Sequence, residues 1–198
     1  MLNTKTMVAL GLSLILSATS VMPAMAELVY DRTTGTFVEA STIAPRPRAG
    51  QSAIKKEIVD YATSQKPGTI VIETGERRLY LVLEDGKALK YGIGVGRDGF
   101  TWSGTNRITR KAEWPGWTPP AAMRKRVPDL PAYMEGGPDN PLGARALYIG
   151  STLYRVHGTS EPWSIGQAVS SGCIRLTNDD VADLYERVAV GAKIIVNH

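Results

Sequence analysis

The chain has one cysteine, Cys173, and two histidines, His157 and His198, in 198 residues. An internal disulfide is therefore excluded, and a zinc site of the usual three or four ligands lacks donors, so no metal is expected. Only two phenylalanines are present, and the basic residues are scattered rather than interleaved with aromatics, which gives nucleic-acid binding little support. After residue 26 no segment approaches the roughly 18 apolar residues of a membrane span. A large excess of either charge is missing too. The formal charge is +4, Lys5 supplies one unit of it and residues 1–26 hold no acid, which leaves +3 for the remainder. Such mild basicity suits an anionic polymer without requiring one.

What is present begins with an export pattern. Lys5 forms a short positive region, residues 7–16 are apolar, and Ala24-Met25-Ala26 is a small-x-small cleavage pattern. This order predicts a signal peptide over residues 1–26, with cleavage before Glu27. Residues 27–65 read as a partly disordered lead-in, in which "IAPRPRAG" (residues 43–50) favours an extended spacer. "SAIKKEIVDYA" predicts a short amphipathic helix with Ile54, Ile58 and Tyr61 on one side.

Residues 66–197 read as one mainly β domain with one or two helices. "TIVIE" (residues 69–73) is β-branched, and Leu79, Leu81 and Leu83 alternate with Tyr80 and Val82. Asp85-Gly86 predicts a hairpin turn. A second hairpin is expected in "RALYIGSTLYRVHG", with Gly150-Ser151 as its two-residue turn. Residues 102–143, rich in Pro, Gly and Trp, read as a poorly periodic insertion, with Trp114 and Trp117 as cleft-wall or packing residues. After the cysteine, Asn178 is the expected N-cap of a helix carrying Val181, Leu184, Tyr185 and Val188, with Gly191 at its end. "KIIVN" follows as a last buried strand.

A lone cysteine has three readings: an inert buried thiol, half of an intermolecular disulfide, or a nucleophile. Its neighbours in "VSSGCIRLTN" are small and polar, unlike the apolar surroundings of a core thiol. Gly172 lets the backbone adopt dihedrals closed to other residues, which suits an oxyanion site built from main-chain N–H groups. A thiol with a pKa of about 8.5 needs a base. His157 ends a predicted strand in "YRVHGTSEPW", sixteen residues before Cys173, so one loop can return it to the thiol. A hydrogen-bonded structural histidine remains the alternative at this point. His198 reads as a solvated tail, and Glu161 as a solvated loop charge. No carboxylate stands out to orient His157, a task that a backbone carbonyl can also perform.

"HGTSEPWSIGQAVSSGCIRLTN", together with "NPLGARALY" (residues 140–148) and "WPGWTPP" (residues 114–120), resembles the signature of the L,D-transpeptidases, the YkuD-type catalytic domain. The resemblance covers about residues 66 to 197. It implies a β-sandwich with a lid insertion over the cleft, and it gives each site residue a role. Cys173 is the nucleophile it implies, His157 the general base, and the Gly158 carbonyl the group that orients His157. The N–H groups of Gly172 and Cys173 form the implied oxyanion hole, and Arg175 holds substrate or loop. Asn178 caps the supporting helix. Ser171 stands where the family pattern has histidine.

The resemblance also implies the chemistry, with no cofactor. The thiol attacks the third residue of a peptidoglycan tetrapeptide stem, releases D-Ala, and passes the acyl group to an amine. That amine belongs to another stem, a D-amino acid or an outer-membrane protein. The same resemblance points to the periplasm. Two alternatives stay open: a hydrolase on the same site, and a non-catalytic wall-binding protein.

Overall fold

The computed structural model describes residues 28–31, 36–39, 52, 54–100 and 102–198. The expected signal segment and the proline-rich stretch at 43–50 lie outside the described residues. The chain divides into two units, Met1–Pro45 and Arg46–His198. In the first, β1 (Leu28–Asp31) and β2 (Thr36–Glu39) pair antiparallel. The second carries everything that follows.

The stretch expected as an amphipathic helix is instead a strand, β3 (Glu57–Asp60). Its Ile-Val centre favours an extended chain, and β6 (Lys87–Gly92) offers it an open edge. Glu57 faces Lys90 and Asp60 faces Lys87 in register, with ion pairs of 2.5 Å each. Such exposed pairs add little stability, but opposite charges across a ladder favour this register. Ile58, expected on an apolar helix face, is 65% exposed at this sheet edge.

β4 (Ile70–Glu73) and β5 (Arg78–Val82) pair antiparallel, and β5 continues into β6 through Asp85-Gly86. Both turn residues have positive φ, 56° and 65°, as the central residues of a mirror-image type I turn require, and the Lys87 N–H closes that turn on the Glu84 carbonyl at 3.2 Å. After β7 (Val95–Gly96), the supposedly aperiodic insertion opens with the longest strand, β8 (Gly104–Glu113). Only Ile108 on it is fully buried, so apolar alternation gave no sign of it. The short helix α1 (Ala121–Arg126) follows.

β9 (Arg145–Ile149) and β10 (Arg155–His157) form the second expected hairpin. Its connection spans residues 150–154 and is wider than the two-residue turn read from Gly150-Ser151. Thr152 builds the wider turn: its hydroxyl donates to the Ile149 carbonyl at 2.6 Å and accepts from the Tyr154 N–H at 3.1 Å. β11 (Ala168–Ser170) pairs parallel with β7, and β12 (Ile174–Arg175) pairs parallel with β10.

α2 (Asn178–Arg187) is the expected helix, capped one residue earlier than the sequence predicted. Thr177 is the N-cap, and its hydroxyl accepts from the Asp180 N–H at 3.1 Å. The helix ends at Arg187, before Gly191, which turns the chain into β13 (Lys193–Asn197). Lys111 of β8 donates to the Tyr185 and Val188 carbonyls at 2.5 and 2.8 Å, a cation at the negative end of the helix. Val181 and Leu184 are fully buried, each contributing on the order of 1.5–3 kcal/mol.

The strands form a nine-stranded sheet in the order β12-β10-β9-β8-β13-β4-β5-β6-β3, beside the two-stranded β11-β7 pair. The last strand thus sits mid-sheet, antiparallel to β8 and parallel to β4. Among the described residues the fold is mainly β with two α-helices, as the sequence predicted.

Candidate active site

Parallel pairing of β10 with β12 decides where the chemistry lies. Val156 sits opposite Ile174, and His157 opposite Arg175. Successive strand residues face opposite sides, so Val156 and Ile174 share one face while Arg155, His157, Cys173 and Arg175 share the other. Val156 and Ile174 are buried in the core. Arg155, His157, Cys173 and Arg175 all line one cleft of about 240 Å³. Trp117, Met123 of α1, Leu142, Leu153 and Tyr154 supply its apolar walls. Among the described residues, no Asp or Glu lines it.

His157 is buried, and its Nδ1 lies 2.6 Å from the Gly158 carbonyl. A carbonyl only accepts, so Nδ1 carries the proton and Nε2 is the basic nitrogen. Burial, reinforced by the positive charge of Arg175 and then of Arg155, pushes the imidazole pKa down to about 3, although hydrogen bonding to the Gly158 carbonyl opposes the fall. Burial pushes the Cys173 thiol up, while hydrogen bonding and the nearby charge of Arg155 pull against it. The resting site therefore holds a neutral imidazole and a neutral thiol, with no hydrogen bond between them. Sγ lies 3.9 Å from the Leu153 carbonyl and also hydrogen-bonds with Arg155.

The turn carrying Cys173 is held from three sides. The Ser170 hydroxyl donates to the Cys173 carbonyl at 2.6 Å, and the Gly172 N–H donates back to the same hydroxyl at 3.1 Å. The Gly172 N–H, expected to face an oxyanion, is thus engaged inside the turn. The Trp102 indole donates to the Gly172 carbonyl at 3.1 Å and stacks on Tyr154, ring centroids 4.9 Å apart. Gly172 has φ 104°, and a Cβ there would stand 2.4 Å from the Tyr154 ring. Only glycine fits both the conformation and the space.

Asn178, expected as the cap, does something else. Its Oδ1 accepts from the Ala144 N–H at 2.9 Å and the Thr159 N–H at 3.2 Å. It thereby clamps the segment after His157 against the segment before β9. A Cβ on Gly158 would lie 2.3 Å from that oxygen, so the clamp needs glycine at this point. Asn140, buried, holds the preceding loop: its Nδ2 donates to the Glu135 carbonyl at 2.8 Å, and its Oδ1 accepts from Leu142 N–H at 2.9 Å.

Arg175 is ion-paired with Glu161 at 3.2 Å, so Glu161 is not the solvated loop charge the sequence suggested. Ser171 lines the cleft. Trp117 also lines it, whereas Trp114 is 43% exposed and outside it. His198 is exposed beside Thr74, away from the cleft. Sequence reasoning missed Arg155, Ser170 and Trp102. Arg155 was findable, two residues before His157 on the same strand; nothing in sequence marked Trp102. Among the described residues, no group of three or more His, Cys, Asp or Glu side chains is placed to hold a metal ion.

The family of the L,D-transpeptidase catalytic domain, YkuD, matches residues 67–196. The probable L,D-transpeptidase ErfK/SrfK of Escherichia coli K12 is 40% identical over 158 residues, covering 75% of this chain and 49% of that protein. The probable L,D-transpeptidase YbiS of the same strain is 43% identical over 134 residues, covering 63% and 43%. The chain thus spans about half the length of these curated relatives or less. In fold, it is similar to an L,D-transpeptidase from Mycobacterium smegmatis, with TM-score 0.52 and 24% identity over 66% of this chain and 58% of that one.

Proposed function

Since the chain belongs to the L,D-transpeptidase family, we propose that it is a cysteine acyltransferase acting on the tetrapeptide stems of peptidoglycan. The observation that carries this reading is the single cleft face shared by Cys173 and His157, with Nδ1 of the imidazole committed to the Gly158 carbonyl.

Nε2 of His157 takes the thiol proton as Sγ of Cys173 attacks the carbonyl of the third stem residue. The Cys173 N–H stabilises the oxyanion, and Ser171 lies on the same wall. The C–N bond to the terminal D-Ala breaks, the imidazolium returns its proton to the departing amine, and a thioester remains. An acceptor amine then attacks the thioester, forms the new amide, and restores the thiol. With both partners neutral at rest, proton transfer accompanies attack instead of preceding it as a stable ion pair. No metal or organic cofactor enters these steps. The Trp117–α1 wall acts as the lid, and Arg175, steadied by Glu161, supports the cysteine loop.

The amine comes from a second stem, a free D-amino acid or an outer-membrane protein. The enzyme works in the periplasm, delivered there by residues 1–26. No described helix is long and apolar enough to cross a membrane. To test the reading, the protein is incubated with a disaccharide-tetrapeptide and a free D-amino acid, and products are read by mass spectrometry. An exchanged terminal residue or a cross-linked dimer, absent with Cys173→Ala, is the expected result. A tripeptide alone converts the reading to a hydrolase, and no Cys173-dependent product rejects it.

A further inference from the structure

Two arginines flank the reacting pair, and they are not equivalent. Arg175 has a carboxylate partner, Glu161, at 3.2 Å. Arg155 has none among the described residues. The hydrogen bonds its guanidinium makes go to uncharged groups, the Leu153 carbonyl at 3.2 Å and the Cys173 thiol, and its Nε is buried without a partner among the described residues. Its guanidinium is nonetheless held in place. Arg155 faces Tyr148 across the β9–β10 ladder, and its guanidinium carbon sits 5.1 Å from that ring centroid. Arg110 packs on the same ring at 3.6 Å, so the aromatic platform is itself fixed.

Among the described residues, the cleft therefore keeps one oriented, uncompensated cation next to the thiol, with no acidic side chain in its lining. A partly desolvated guanidinium without a counter-ion is unfavourable, and an arriving carboxylate relieves it with a charge-assisted, bidentate pair. We infer that the cleft contains a carboxylate subsite centred on Arg155, which takes the free terminal carboxylate of the donor peptide. This rests on the acyl-transfer reading. In that reaction a single residue follows the scissile carbonyl, so the terminal carboxylate lies within one residue's reach, about 3.8 Å between successive Cα atoms, of the carbon that Cys173 attacks. A donor longer by one residue moves its carboxylate past Arg155 and places an uncharged amide there. The subsite thus selects donors by where they end, and the charge departs with the leaving group once the thioester has formed.

The test is calorimetric binding to full-chain protein carrying Cys173→Ala, which prevents turnover. The ligands are the tetrapeptide with a free C-terminus and the same peptide as its C-terminal amide. The acid is expected to bind at least about tenfold more tightly than the amide, with the preference shrinking as salt rises. Adding Arg155→Gln should reduce the ratio to near one and leave amide affinity unchanged, while Arg155→Lys should keep part of the preference. Unchanged amide binding also verifies that the cleft is intact in these variants. Equal binding of acid and amide to the parent overturns the subsite and leaves the acyl-transfer reading standing. So does a preference that survives Arg155→Gln. Failure of both peptides to bind overturns the subsite and the donor reading together.

Discussion

The strands β9, β10 and β12 carry two faces of opposite character on a few residues of chain. One face holds Leu147, Val156 and Ile174, all but sealed from solvent, and belongs to the core that buries Val181 and Leu184 of α2. The other holds Arg155, His157, Cys173 and Arg175 around a cleft, with Tyr148 beside Arg155. The apolar face fixes the register to which the polar face is then bound, because a slip of one residue would exchange them. Stability and chemistry here are alternate residues of the same strands. Imidazole and guanidinium groups are tolerated half out of water because the other side of the backbone supplies the hydrophobic stabilisation.

Substitutions on the two faces should therefore separate activity from stability. Cys173→Ala carries the largest effect on the cleft face: turnover should fall at least about a thousandfold in single-turnover assays, with an unchanged urea midpoint. Leu147→Ala is the counterpart on the core face. It should cost about 2–5 kcal/mol in urea unfolding, while the protein that remains folded keeps its KM.

His157 blurs the division, since it belongs to the cleft but is buried neutral. Its folded pKa of about 3 lies below the ordinary unfolded value of about 6.5. The unfolded chain therefore binds a proton first, and stability is complete above the unfolded value and lost as pH falls toward the folded one. The slope should approach about 1.4 kcal/mol per pH unit below the upper value. Urea melts between pH 6.5 and 5, above most carboxylate titration, should show that slope and lose it in His157→Gln. An unchanged slope in the variant would assign the pH dependence elsewhere.

The finest comparison is between adjacent residues. Asn178→Ala strips the acceptor from two N–H groups of the segments around His157, and should cost about 1–3 kcal/mol with a fall in kcat larger than any rise in KM. Thr177→Ala removes only the helix cap and should cost about 1 kcal/mol with kcat nearly unchanged. Equal kcat losses would mean that Asn178 acts through the helix and not through the loop clamp.

Much of this was legible locally. The Asp85-Gly86 turn, the β-branched runs of β4 and β13, and α2 with its buried Val181 and Leu184 each announce themselves within ten residues. β3 and β8 did not, because each is a strand by virtue of its neighbours. β3 has helical spacing of apolar residues but an available sheet edge, and β8 carries a single fully buried side chain between two partners. The site divides in the same way. Cys173 and His157 stand out by scarcity and by their small, glycine-flanked surroundings. Asn178 was noticed for the wrong bond, since a cap and a cross-loop clamp demand the same side chain.

By itself the sequence determined which groups can do chemistry here: one thiol, one well-placed imidazole, and glycines at positions where the backbone must bend or another chain must come close. Those are properties of residue type and short spacing. Tertiary structure alone decided which groups meet. The parallel register of β10 and β12 sets His157 and Cys173 on one face, Trp102 reaches from 70 residues away to hold the Gly172 carbonyl, and Glu161 neutralises Arg175 while Arg155 has no carboxylate partner among the described residues. Each of those contacts depends on strand pairing between distant segments, whose loop-closure cost is met only when the whole core forms, and no local pattern of residues encodes it.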